Sequence, residues 1–178
     1  MPPHSPVRVL AVIGLAAYAF VRLRNPEHWD LLDDVNLAIH EAGHIFFQPL
    51  GDPLDVLGGS LFQILVPLAF VIYFFVKRDV FAASVVTAWV AASLGNVALY
   101  IADARAQELP LLGGENTIHD WWYLLTEWDL LAQDHTIAGW IRAASAMAFV
   151  LAVIGAGLNT RRAALVDIPS TRMLGESD

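Results

Sequence analysis

The stretch Val35–Leu50, VNLAIHEAGHIFFQPL, decides how many times this chain crosses a membrane. It is apolar over most of its length, yet the run His40-Glu41-Ala42-Gly43-His44 stands at its centre. Four residues of helix advance the chain about one turn, so His40 and His44 stack on one face as a pair of imidazole ligands. Glu41 points toward the same metal and serves as general base for a water whose pKa the cation lowers to roughly 7. An ionisable residue at bilayer depth costs on the order of 2.5 to 3.5 kcal/mol, so three together in an apolar segment need compensation, and a metal ion supplies it.

Working outward, the 178 residues are 57% hydrophobic and only 16% charged, with a mean hydropathy of +0.54. Such values lie outside the range of ordinary soluble domains and point to an all-α, polytopic membrane helical bundle. The chain has no cysteine. A thiolate site is therefore ruled out, and a metal must be held by histidine, carboxylate or water, a donor set that suits Zn2+. The formal charge of -8 leaves no basic stripe to neutralise phosphates, so nucleic acid is not an expected partner. The expected partners are the lipid bilayer and a membrane-embedded or membrane-adjacent substrate.

Four long apolar runs, Val7–Leu23, Val56–Val76, Val80–Ala102 and Ile137–Leu158, each approach the roughly 20 residues needed to cross hydrocarbon. The motif run, 35–50, is shorter and ends at Pro49 and the Gly51-Asp52-Pro53 turn; it is either a full span or a helix entering from one side. If it crosses, then Arg22 and Arg24, Lys77 and Arg78, and Arg161 and Arg162 all fall on one face, as the positive-inside rule asks of the cytoplasmic side. The expectation is thus five crossings over residues 1–160, an outer N-terminus, a cytoplasmic C-terminus and a bacterial inner (plasma) membrane. Residues 161–178 read as a polar tail. Val7–Val21 lacks a clear cleavage site and is read as a retained span, not a signal peptide.

The connection from Asp103 to Asp134 then lies outside. Its Trp121, Trp122, Tyr123 and Trp128, with Leu124, Leu125, Leu130 and Leu131, suggest a short helix in the headgroup layer or a lid packed over the bundle. Two histidines do not complete a catalytic zinc site, which takes three protein ligands and an open position. The candidates are Asp103, which shares a helical face with Asn96 and Tyr100; His119 and Asp120 at the start of the lid helix; and His135. The expected metal set is His40, His44, Asp103 and His119, with Asp120 as an alternative third ligand or as an acceptor that orients a ligating histidine. Gln63, Thr87 and Asn96 either line a wet cavity or bond between helices, and Gly58-Gly59-Ser60 permits close helix approach.

A motif of this kind in a membrane helix resembles the intramembrane zinc metallopeptidases of the site-2 protease class. There the HExxH helix is completed by an aspartate on a later span. His40, Glu41 and His44 match directly, and Asp103, seven residues after Asn96, resembles that family's asparagine followed by an aspartate ligand. The surroundings depart from it, with Ile101-Ala102-Asp103-Ala104 in place of Leu-Asp-Gly. An outward-opening site is also similar to the lipid-amide hydrolases of alkaline ceramidase type, whose histidines are spread over several spans. The resemblance implies a zinc metallopeptidase with Glu41 as catalytic base. The alternatives are a lipid-amide hydrolase and a non-enzymatic membrane protein that binds or moves metal ions.

Overall fold

A computed structural model describes residues 4–110, 112 and 118–161. Arg162, the rest of the tail and Gly113-Gly114 lie outside the described residues. The helices are α1 (Pro6–Arg24), α2 (Leu31–Phe47), α3 (Leu54–Val76), α4 (Val80–Ala102), α5 (Asp120–Glu127) and α6 (Asp134–Leu158). Among the described residues there is no strand, so the all-α reading holds; an isolated bridge joins His4 to Arg161.

Local chemistry sets several of these boundaries. Pro6 opens α1, where its missing N–H costs nothing. The Asp30 carboxylate accepts from Leu32 N at 2.8 Å while Asp33 Oδ2 accepts from Asp30 N at 2.7 Å, a reciprocal cap that starts α2. At the far end a 3-10 turn, Gln48–Leu50, leads into Gly51 at φ 69°, a conformation that favours glycine.

The centre of the bundle is α4, which lies along α6 for most of its length and carries α3 on another side. Small buried residues, Ala83, Ala88, Ala91 and Ala92 on α4 and Ala138, Ala152 and Ala156 on α6, let the two backbones come close. Ser145 of α6 donates to the Ala91 carbonyl at 2.7 Å across that seam. Between α2 and α3 the approach rests on glycine: a Cβ on Gly43 would stand 2.7 Å from Phe62 Cβ, and one on Gly58 2.8 Å from Phe47 Cβ.

Four helices, α1, α3, α4 and the last one beginning at Leu131, are long and apolar enough to cross a membrane. The fifth expected crossing is not among them. At one end of the bundle α1 begins beside the finish of α6, where Arg8 donates to the carbonyls of Asn159 and Arg161 at 3.0 and 2.9 Å and covers the Phe81 ring at the start of α4. At the opposite end Arg22 reaches Asn96 near the close of α4, and His44 reaches Asp55 at the start of α3. Since α2 leaves from the end of α1 and delivers the chain to the start of α3, it begins and finishes at the same end. Its 17 residues are at the lower limit for a crossing, and three of them, Asp33, Asp34 and Glu41, are carboxylates.

Two expectations change with it. His4 and Arg161 are paired, so the described chain starts and stops at one end of the bundle and not at opposite ones. Arg22 and Arg24 stand at the other end from Lys77, Arg78 and Arg161. Arg22 is buried there by a carboxylate: its two terminal nitrogens meet Asp33 at 2.6 and 2.8 Å, one of them also meets Asn96 Oδ1 at 2.7 Å, and Asn96 Nδ2 returns to Asp33 at 2.8 Å. This network ties α1, α2 and α4 together at the level where the motif helix begins.

Candidate metal centre

The motif histidines face α3. Gln63 Nε2 donates to the Ser93 carbonyl at 3.3 Å, which leaves Gln63 Oε1 as the atom 2.9 Å from His40 Nδ1. An amide oxygen only accepts, so Nδ1 of His40 carries the proton. His44 Nδ1 lies 3.0 Å from the Asp55 backbone carbonyl, and the same reasoning protonates it there. Both Nε2 atoms are thereby left with free lone pairs in the neutral rings, and both point at one oxygen, Asp120 Oδ2, at 3.0 Å from His40 and 3.2 Å from His44. Three acceptors converge, and their ligand atoms lie within 4.8 Å of one another.

Space at this point is made by Gly59. A Cβ there would stand 2.5 Å from His40 Nε2 and 2.6 Å from His44 Nε2. Its neighbour Gly58 serves helix approach, and Ser60 accepts from Trp121 Nε1 at 3.0 Å, anchoring α5, and hence Asp120, onto α3. Trp121, Leu124 and Leu125 are buried in the core, so α5 is a lid packed on the bundle, with Trp122 and Trp128 left outward.

Electrostatics around the group follow from convergence. Burial alone would push the Asp120 carboxyl up, but the facing His40 and His44 imidazoles, which share a proton with it, hold it below the ordinary carboxylate value. The hydrogen bond with Asp120 in turn raises the His44 imidazole to about 9, against the opposing effect of burial. The group therefore has a place for one cation, a proton or a metal. A catalytic zinc site with two imidazoles, one carboxylate and an open position has this donor set, and the two Nδ1–H groups are held by carbonyl acceptors as such ligands require. The residues fit the metal.

Asp103 and His119 are not gathered into the group. The helix stops at Ala102, and Asp103 folds over the following turn, accepting from Glu108 N at 3.0 Å and Leu109 N at 3.1 Å. It does not pair with Arg105, which meets Asp134 at 2.7 Å. His119 is the N-cap of α5: its Nδ1 accepts from Trp122 N at 3.2 Å, and its Nε2 lies 3.3 Å from Asp103 Oδ2 without the alignment of a hydrogen bond. Burial pushes the His119 imidazole below its ordinary pKa, against the pull of the Asp103 carboxylate, which keeps Nδ1 available as an acceptor. These two residues fix the start of α5 and so aim its first residue, Asp120, into the site.

No family model, curated protein or solved structure matches the chain. The functional reading rests on the group itself.

The other sequence candidates separate cleanly. Glu41 is exposed and close enough for its charge to act on His44. Thr87 bonds its own helix at the Ala83 carbonyl, Asn96 belongs to the Arg22 network, and His135 is exposed at the start of α6. Tyr100, whose sequence spacing says only that it shares a face with Asp103, is a neighbour of the group of His40, His44 and Asp120. Its hydroxyl accepts from Asp120 N at 3.2 Å, and its ring lies 5.8 Å from that of His40 and 4.2 Å from that of His119.

Proposed function

We propose that this chain is a zinc-dependent integral membrane hydrolase acting on an amide bond, with His40, His44 and Asp120 holding the metal and Glu41 as general base. The observation that carries the reading is the meeting of two imidazole nitrogens and a carboxylate oxygen, all acceptors when the rings are neutral, within 4.8 Å. Zinc bound there would supply a water acidic enough to ionise near neutral pH and would polarise the substrate carbonyl. Glu41 takes the proton of the attacking water and passes it to the leaving nitrogen. Gln63 and the Asp55 carbonyl hold the imidazoles in the ligating tautomer.

The location narrows the substrate. Asp55 is the second residue of α3 and Tyr100 stands two residues before the end of α4. That depth corresponds to the headgroup layer and not the bilayer centre, so the scissile amide is presented at the membrane surface, as in a juxtamembrane peptide or an N-acylated lipid. The site opens at the end of the bundle that carries Arg22 and Arg105, opposite the end that carries Arg8, Lys77, Arg78 and Arg161.

The test is Glu41→Gln, assayed on quenched fluorescent peptides and short-chain N-acyl amides in detergent. Wild type should hydrolyse one of the two classes, and the variant should hold its zinc while turnover falls at least about 100-fold. Loss of zinc from the variant would make Glu41 a ligand and break the mechanism.

A further inference from the structure

Hydrolysis of an amide builds negative charge on the former carbonyl oxygen, and the metal group contains only acceptors. A donor beside it is needed to meet that charge. We infer that the Tyr100 hydroxyl is this donor, a catalytic residue for the reaction proposed above; the inference rests on that reading of the site.

The geometry singles it out. Tyr100 Oη stands 3.2 Å from the backbone nitrogen of Asp120, the residue whose carboxylate oxygen meets both imidazoles. In that contact the hydroxyl is the acceptor, so its own hydrogen remains to be donated, and among the described residues no acceptor takes it. The ring is fixed on two sides, by His119 at 4.2 Å and His40 at 5.8 Å, so the hydroxyl is preorganised. Other donors near the group are committed: Trp121 Nε1 to Ser60, Gln63 Nε2 to the Ser93 carbonyl.

The step balances without a proton leaving the tyrosine. As the water oxygen bonds to the carbonyl carbon, the π pair moves onto the carbonyl oxygen and Glu41 receives the water proton. Tyr100 donates a hydrogen bond to the oxyanion. When the C–N bond breaks, that pair returns to re-form the carbonyl, and Glu41 delivers its proton to the nitrogen.

The probe is acetohydroxamate, a planar bidentate anion whose carbonyl oxygen takes the place of the substrate carbonyl beside the metal, titrated into cobalt-substituted protein and followed by the visible absorption of the metal. Tyr100→Phe is compared with wild type. The variant should take up about one cobalt per chain, because the Asp120 N–H sits in the first turn of α5, where water can replace the lost acceptor. Its acetohydroxamate affinity should fall roughly 10- to 100-fold, the loss of one hydrogen bond to a charged oxygen. Unchanged affinity would overturn the assignment. Loss of cobalt from the variant would also overturn it, making Tyr100 a positioning residue for Asp120. Failure of the wild type itself to take up cobalt would defeat the proposed hydrolase, a result distinct from both.

Discussion

Two polar clusters are buried along α2, and they are matched differently. In the first, Arg22 donates to both oxygens of Asp33 and to Asn96, and Asn96 donates back to Asp33. In the second, once Gln63 and Asp55 have claimed the Nδ1 protons, His40 Nε2, His44 Nε2 and Asp120 Oδ2 are three acceptors that only a further proton or another cation can join. A satisfied cluster holds a structure together, whereas a cluster of acceptors holds a place for a cation. The first should fail as stability and the second as metal binding.

The largest effect is expected from Arg22→Ala. It strands the Asp33 carboxylate in the bundle and should destabilise the protein by about 3–5 kcal/mol in chemical unfolding, whereas replacing the pair together by Arg22→Met and Asp33→Leu should recover most of the loss. His44→Ala is the counterpart. Structural zinc sites of four ligands bind with about 10–16 kcal/mol, about 2.5–4 kcal/mol per ligand, so the loss should be roughly 70- to 900-fold by competition with a chelator. Metal-free stability should change far less than in Arg22→Ala; an equal loss in both would erase the distinction between the clusters.

Protons should compete for the same place. His44 is raised to about 9 without metal, so near pH 7 zinc must displace a proton. Affinity should then climb about tenfold per pH unit from 7 toward 9, and calorimetry in buffers of different ionisation enthalpy should count about one proton released per zinc. A flat profile would place the proton elsewhere. A smaller effect is expected from Gln63→Leu, which frees the His40 tautomer and should weaken zinc about 10- to 100-fold with little change in fold.

Much of the fold was legible because α1, α3, α4 and α6 are long apolar runs, and α4 ends at Ala102 where its apolar run does. The course of α2 was not: sixteen mostly apolar residues look like a short span, and only the contacts of Arg22 and His44 show that its two ends share one side. The motif spacing placed His40 and His44 correctly on one face. Which carboxylate joins the two imidazoles was not legible: Asp103 shares a helical spacing with Asn96, but the helix ends one residue earlier and its carboxylate turns onto backbone amides. The sequence offers both His119 and Asp120, and these neighbours differ in aim only through the cap of α5. An N-cap role for the residue before a helix was the available signal, since it turns that side chain back on its own backbone and leaves the next one to point outward.

The most direct test of the central claim is zinc content by elemental analysis of the purified protein, wild type beside Asp120→Ala and Asp103→Ala. The account predicts about one zinc per chain in wild type and in Asp103→Ala, and none in Asp120→Ala after the same dialysis. Zinc retained by Asp120→Ala and lost from Asp103→Ala would contradict it.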